Sequence, residues 1–223
     1  MKRVLSLAAV ALTLVNVSLA HAGTTTITCQ EAGGCAQLPT ADPLASNIKV
    51  TPVNTNKGAF ISQIGDHQTA TINQDNNNQA ASVSQSGSSQ TATVTQTGLG
   101  AHIADITQGD SGNMLTLTQS GSAGQVAVLS QAGTGNTMMI GQSGSLTNQV
   151  SASQTGGSGN TLSLSQNGES NLAQLAQNGS GNHMDAIQNG AGNQLAWTQT
   201  GNNLVSLQVT QNGGQAIMIS QSK

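Results

Sequence analysis

From Lys57 to Gln221 polar and apolar positions alternate in bursts of seven residues, each closed by a glutamine. The burst reads polar-x-apolar-x-apolar-x-Gln and occurs fifteen times, separated by arcs of three to five residues. The third and fifth positions are apolar in every unit, from Ala59 and Ile61 through Leu115 and Leu117 to Ile217 and Ile219. Alternation over seven residues predicts a strand with one buried face. Helical spacing would send positions three and five to different faces. A period of 10–12 residues leaves room for one strand and one turn, so the chain is predicted to stack on itself as a solenoid.

The closing residues are Gln63, Gln74, Gln85, Gln96, Gln108, Gln119, Gln131, Gln142, Gln154, Gln166, Gln177, Gln188, Gln199, Gln211 and Gln221. Six residues earlier each unit opens on another amide: Gln at 68, 79, 90, 125 and 215, or Asn113, Asn136, Asn148, Asn160, Asn171, Asn182 and Asn193. Lys57, His102 and Val205 are the exceptions. Two residues after the closing glutamine stand Gly65, Gly87, Gly98, Gly121, Gly133, Gly144, Gly156, Gly168, Gly179, Gly190, Gly201 and Gly213, replaced only by Asn76 and Asp110. Asn and Asp are the other residues that tolerate a left-handed backbone, so this position is predicted to need a positive φ.

Arcs this short cannot hold a crossover helix, and every strand must bury the same face. Successive strands are therefore predicted to lie in two opposed sheets, each strand parallel to and in register with the strand two units on. The fold class is all-β: a β-solenoid of strand-arc-strand rungs, cross-β and amyloid-like. Fifteen strands make seven rungs and a spare, roughly 35 Å at about 4.8 Å per rung. Buried amides must be hydrogen-bonded or they cost free energy. In an in-register stack each can donate to the like residue above and accept from the one below, which a column of carboxylates could not do. Both amide positions are thus predicted to form ladders lining the core.

Composition moves the reading away from chemistry. Charged residues make up 6% of the 223, where about 25% is usual. Aromatics make up 1%, and the net charge of −3 offers no basic patch for nucleic acid. Low charge with abundant amides is the composition of aggregation-prone β material. Lys2 and Arg3 precede an apolar stretch from Val4 to Leu19, and Ala20-His21-Ala22 supplies an A-x-A site. This reads as a secretory signal peptide over residues 1–22, too short and wrongly flanked for a membrane anchor. No later segment is apolar enough to span a bilayer. Residues 23–56 lack the repeat, carry Pro39, Pro43 and Pro52, and read as a flexible leader. The only cysteines, Cys29 and Cys35, lie there; in an oxidising compartment they can close a small disulfide loop or stay free. The repeat domain is placed at 57–223.

The pattern N-x5-Q-x-G-x(2–3)-N/Q, as in Asn182 to Gln188, Gly190 and Asn193, closely resembles the curlin repeat of curli amyloid subunits of Gram-negative bacteria. The resemblance spans residues 57–221. It implies export, passage through an outer-membrane secretion channel with periplasmic accessory factors, and polymerisation with itself and a companion curlin subunit. The product would be an extracellular fibre that serves adhesion and biofilm and touches host matrix proteins. Residues 23–56 then take the place of the leader that engages the secretion apparatus. More units, almost no aromatics and a cysteine-containing leader set this chain apart from the familiar enteric curlins.

No catalytic, metal or cofactor constellation stands out. His67, His102 and His183 lie in unrelated registers, and the acids are scattered. Asp75, Asp105, Asp110 and Asp185 read as gatekeepers that repel wrong pairing. Neither end of the array carries a recognisable cap, and Ile217, Met218 and Ile219 mark the last strand as the assembly end. The alternative is a monomeric β-solenoid that binds a surface, an adhesin or an ice-binding protein. Outward threonines (Thr69 and Thr71; Thr91, Thr93 and Thr95; Thr116 and Thr118) favour it, and Met114, Met139, His183 and Asp185 interrupt the array.

Overall fold

A computed structural model describes residues 14–20, 24–29, 58–76 and 78–223, the first two segments as backbone pairing alone. Two strands precede the repeat, β1 (Leu14–Ala20) and β2 (Thr24–Cys29). Fifteen follow, beginning with β3 (Gly58–Asp66), β4 (Thr69–Gln74), β5 (Ala80–Ser88), β6 (Thr91–Thr97) and β7 (Ile103–Gln108). The middle of the array is β8 (Met114–Gly121), β9 (Val126–Gln131), β10 (Thr137–Gly144), β11 (Gln149–Thr155) and β12 (Thr161–Glu169). It ends with β13 (Leu172–Asn178), β14 (His183–Ala191), β15 (Gln194–Thr200), β16 (Leu207–Asn212) and β17 (Ala216–Ser222).

Odd- and even-numbered strands separate into two sheets, as the alternation predicts. The nine-stranded sheet runs β1-β17-β15-β13-β11-β9-β7-β5-β3, and the eight-stranded sheet runs β2-β16-β14-β12-β10-β8-β6-β4. Within the repeat every pairing is parallel and joins like positions: Ala104 lies beside Ala127, Leu117 beside Ile140, and Gln154 beside Gln177. The chain is an all-β solenoid of about seven turns. Between the sheets lies one thin apolar layer, from Ala81 and Val83 through Leu115, Leu117, Leu162 and Leu164 to Ile217 and Ile219. Small-then-large pairs such as Ala127 and Leu129 let the two faces interdigitate.

The arcs stack as closely as the strands. Gly168 has a φ of 128°, and a Cβ on it would overlap the carbonyl of Gly190 one rung on. Gly144 adds a correction: its φ is not positive, yet a Cβ there would overlap the Gly168 carbonyl. At Gly144 close approach of backbones alone excludes a side chain, and at Gly168 close approach and backbone angle act together. Asp110, standing where most units have glycine, adopts a φ of 66°, whereas Asn76 does not take a positive φ.

The ends also differ from the sequence expectation. β3 and β4 are outermost at one end of the sheets, but at the other β1 lies antiparallel on β17 and β2 antiparallel on β16. The sequence predicts no cap at either end, whereas here the segments assigned to export signal and leader lie on the last two repeat strands. β1 and β2 are rich in β-branched residues (Val15 and Val17; Thr24, Thr25, Thr26, Ile27 and Thr28), and an open sheet edge templates such segments. The proposed cleavage after Ala22 falls between them. Cys35 and the side chain of Cys29 lie outside the described residues, as does Lys57.

Candidate functional site: the amide columns and the open rung

The closing glutamines form two columns, one per sheet. In the first, Gln63 Nε2 donates to Gln85 Oε1, Gln85 to Gln108, and so through Gln131, Gln154, Gln177 and Gln199 to Gln221. In the second, Gln74 donates to Gln96, and the chain continues through Gln119, Gln142, Gln166 and Gln188 to Gln211. The first links of both are 2.7 Å. Each Nε2 of the interior spends a second hydrogen across the core, as Gln142 does on the Val126 carbonyl at 3.1 Å and Gln154 on the Thr137 carbonyl at 3.0 Å. A glutamine amide has two donors and one carbonyl oxygen, so the columns bind rung to rung and sheet to sheet at once. Glutamine-to-glutamine donation along both columns runs toward the C-terminal end.

The opening amides work differently from a ladder of identical residues. Asn113 Oδ1 accepts the backbone N–H of Asn136 at 2.9 Å, and its Nδ2 donates to the carbonyls of Gly109 and Gly133. Asn148 repeats this with the Asn171 N–H and the Ser143 and Gly168 carbonyls. Asn160 and Asn193 add amide-to-amide bonds to Asn136 and Asn171. These asparagines are chiefly staples between one arc and the backbone of the next rung; sequence periodicity alone does not separate a staple from a ladder.

Chain length at this position matters. Gln68, Gln79 and Gln90 place one more methylene in the slot, and their Oε1 atoms are buried without a partner. Gln125 escapes by accepting the Asn148 N–H at 2.8 Å. An unsatisfied buried acceptor costs about 1–3 kcal/mol. Gln90→Asn is therefore expected to stabilise the fold by about 1–2 kcal/mol, because the shorter side chain brings its oxygen to the N–H of Asn113 one rung on. Urea denaturation checks this, and an unchanged or lower midpoint would refute it.

His102 occupies the same slot and is fully buried. Its Nδ1 accepts the Gln125 N–H at 3.1 Å and its Nε2 lies 2.9 Å from the Thr97 carbonyl, so the ring carries its proton on Nε2 and substitutes for asparagine. Burial pulls the imidazole below its ordinary value, against upward pulls from the Thr97 carbonyl and the Asp75 carboxylate. A folded value below the unfolded one means the unfolded chain takes up the proton first. Stability is expected to be full above about pH 6.5 and to decline as the pH falls through the lowered folded value. His102→Asn should remove that decline; equal acid sensitivity in both proteins would refute it.

Several other polar side chains hold arcs or faces. Asp75 accepts the Gly98 N–H and Asp110 the Gly133 N–H, while Asp185 accepts Gln208 Nε2 at 2.6 Å. Three of the acids read as gatekeepers thus carry native hydrogen bonds, and Asp105 is buried rather than exposed. Trp197 is buried, and its Nε1 donates to Gln221 Oε1 at 2.9 Å. Among the described residues no group of three or more His, Cys, Asp and Glu gathers, and no helix is long and apolar enough to cross a membrane.

The two ends complement each other. In the opening rung Ile61 is 48% exposed, whereas Ile106 in the same position farther along is 0% exposed. Gln63 and Gln74 donate inward, and among the described residues nothing donates to their Oε1 atoms. At the far end Gln221 uses one Nε2 hydrogen on the Val205 carbonyl and has no next glutamine for the other. Ile217 and Ile219 are buried there and Met218 is half-exposed on the outer face. In β1 and β2 the residues opposite Gln221 and Gln211 are Val15 and Thr25, so neither column is extended by an amide.

No curated protein and no solved structure matches the chain. A family model, the curlin associated repeat, matches residues 157–190, which cover β12, β13 and most of β14. The strand pairings carry that unit in unbroken register in both directions. The chain thus carries the curlin associated repeat, matched over residues 157–190 and continued by the same strand, amide and arc pattern on either side.

Proposed function

We propose that this chain is a structural subunit of a secreted, curli-like functional amyloid fibre that grows by end-to-end stacking of solenoids and contributes to adhesion and biofilm matrix. The observation that carries the reading is the pair of amide columns that, among the described residues, end with acceptors open at Gln63 and Gln74 and a donor open at Gln221. A second copy placed head to tail joins donor to acceptor and covers the apolar face of the opening rung. The curlin match supports a structural, non-enzymatic role. With it come the family's partners: copies of the chain, a companion curlin subunit, an outer-membrane channel, periplasmic accessory factors and host matrix proteins. In this reading residues 1–22 direct export, residues 23–56 engage the secretion machinery, Cys29 and Cys35 can pair, and Ile217, Met218 and Ile219 belong to the assembly end.

The processed chain, residues 23–223, held at neutral pH is expected to form fibres whose diffraction shows reflections near 4.7 Å and about 10 Å. A soluble monomer after days would overturn the fibre reading and leave the solenoid intact.

A further inference from the structure

The repeat has an odd number of strands, which decides how one copy can follow another. Eight of the fifteen repeat strands lie in the nine-stranded sheet and seven in the eight-stranded sheet. β17 therefore stands half a rung beyond β16. If the next copy entered in the same orientation, its β3 would lie on β17 and its β4 would be separated from β16 by a missing strand. A gap of that width leaves the backbone donors and acceptors of β16 unpaired and opens the core beside Leu207 and Val209.

A half-turn about the solenoid axis removes the gap. It carries each sheet onto the position and strand direction of the other, because successive strands run oppositely and share one unit pattern. The second copy's β3 then continues the eight-stranded sheet on β16, and its β4 continues the nine-stranded sheet on β17. Both amide columns donate in the same axial direction, so each meets an acceptor after the rotation: Gln211 faces Gln63, and Gln221 faces Gln74.

We infer that successive copies of this chain stack head to tail with a half-turn, β3 of the incoming copy pairing with β16 and its β4 with β17 of the copy before. The inference rests on the fibre reading above and adds the register of the junction. β2 is the competing occupant of the gap, but it lies antiparallel on β16 with Thr25 opposite Gln211, so it ends the column that β3 would extend. In the processed chain, which lacks β1, the incoming β3 displaces β2 and the incoming β4 takes the free edge of β17.

Outward-facing cysteines read the junction without touching the core. In a Cys29→Ser, Cys35→Ser background of the processed chain, Ser62→Cys protein is mixed with Thr210→Cys or Ser220→Cys protein, assembled and oxidised. Only pelleted fibres with cross-β diffraction are scored. The half-turn sets residue 62 beside residue 210, within reach of a disulfide, and puts residue 220 on the opposite outer face with the sheets about 10 Å apart. Disulfide-linked dimer is therefore expected at least about tenfold more with Thr210→Cys than with Ser220→Cys. The reverse preference would overturn the half-turn and assign the gap to β2. Equal yields would also overturn it, since no single register would exist. Absence of fibres would instead defeat the fibre reading beneath it.

Discussion

Gln142→Glu is expected to cost the fold about 3–5 kcal/mol and to split its unfolding into two steps. Gln142 is buried near the middle of its column. It accepts from Gln119 at 2.9 Å and donates to Gln166 Oε1 at 2.8 Å and to the Val126 carbonyl at 3.1 Å. A carboxylate keeps the first bond and turns the other two into contacts between oxygens, in a place water does not reach. Solenoid stability is a sum of nearest-neighbour terms, so a broken interface uncouples the halves. Trp197 would then follow only the C-terminal half, while far-ultraviolet circular dichroism follows both. Burial raises the pKa of the introduced acid, so the penalty is full above that raised value and shrinks as the pH falls through it toward about 4.3. This drift opposes that of His102 and is best measured with His102→Asn. A single transition at the wild-type midpoint would refute the central place given to the glutamine column.

The second large effect is on growth. Ile61→Asp changes a side chain that the isolated solenoid leaves half in water, so its unfolding should shift by less than about 0.5 kcal/mol. In the fibre the same side chain is covered by the preceding copy, and an unpaired buried charge costs about 3–5 kcal/mol. At 1.4 kcal/mol per factor of ten, elongation should slow by about 100-fold or more. Ser62→Asp places the same charge one residue on, on the outer face, and is expected to grow within a few-fold of wild type. Seeded elongation followed by dye fluorescence distinguishes them. Equal growth of the Ile61→Asp and wild-type chains would remove the opening rung from the assembly surface.

Strand positions, sheet membership and register were legible because one rule, apolar at positions three and five with glutamine at seven, holds in all fifteen units. Periodicity reports which residues face inward, and here nearly every inward residue is part of the fold. It does not report how an inward amide spends its hydrogen bonds. Asn113 and Gln119 look alike as recurring buried amides, yet one staples an arc and the other extends a column. The difference lies in a single methylene and in where the next backbone N–H points, which only the folded structure reveals. The same limit hid the unpartnered oxygens of Gln68, Gln79 and Gln90. His102 breaks the amide pattern, and nothing in its spacing signals that Nδ1 can stand in for an asparagine oxygen. The pairing of β1 and β2 with the end of the array is not legible in the sequence, because β1 draws on the apolar residues an export signal also uses and β2 is a short threonine-rich run outside the repeat pattern.

The one-way donation along the glutamine columns also has an electrical meaning. Backbone amides in a parallel sheet point alternately up and down the stack and largely cancel, but the bonds from Gln63 to Gln221 and from Gln74 to Gln211 all point one way. Their dipoles add as peptide dipoles do in a helix, with the positive pole where Gln221 presents its N–H. Head-to-tail copies would add these moments in series, so a fibre should behave as a permanently polarised thread. Transient electric birefringence should then show a permanent-moment response that grows with fibre length; a purely induced response would mean the columns alternate in direction from copy to copy.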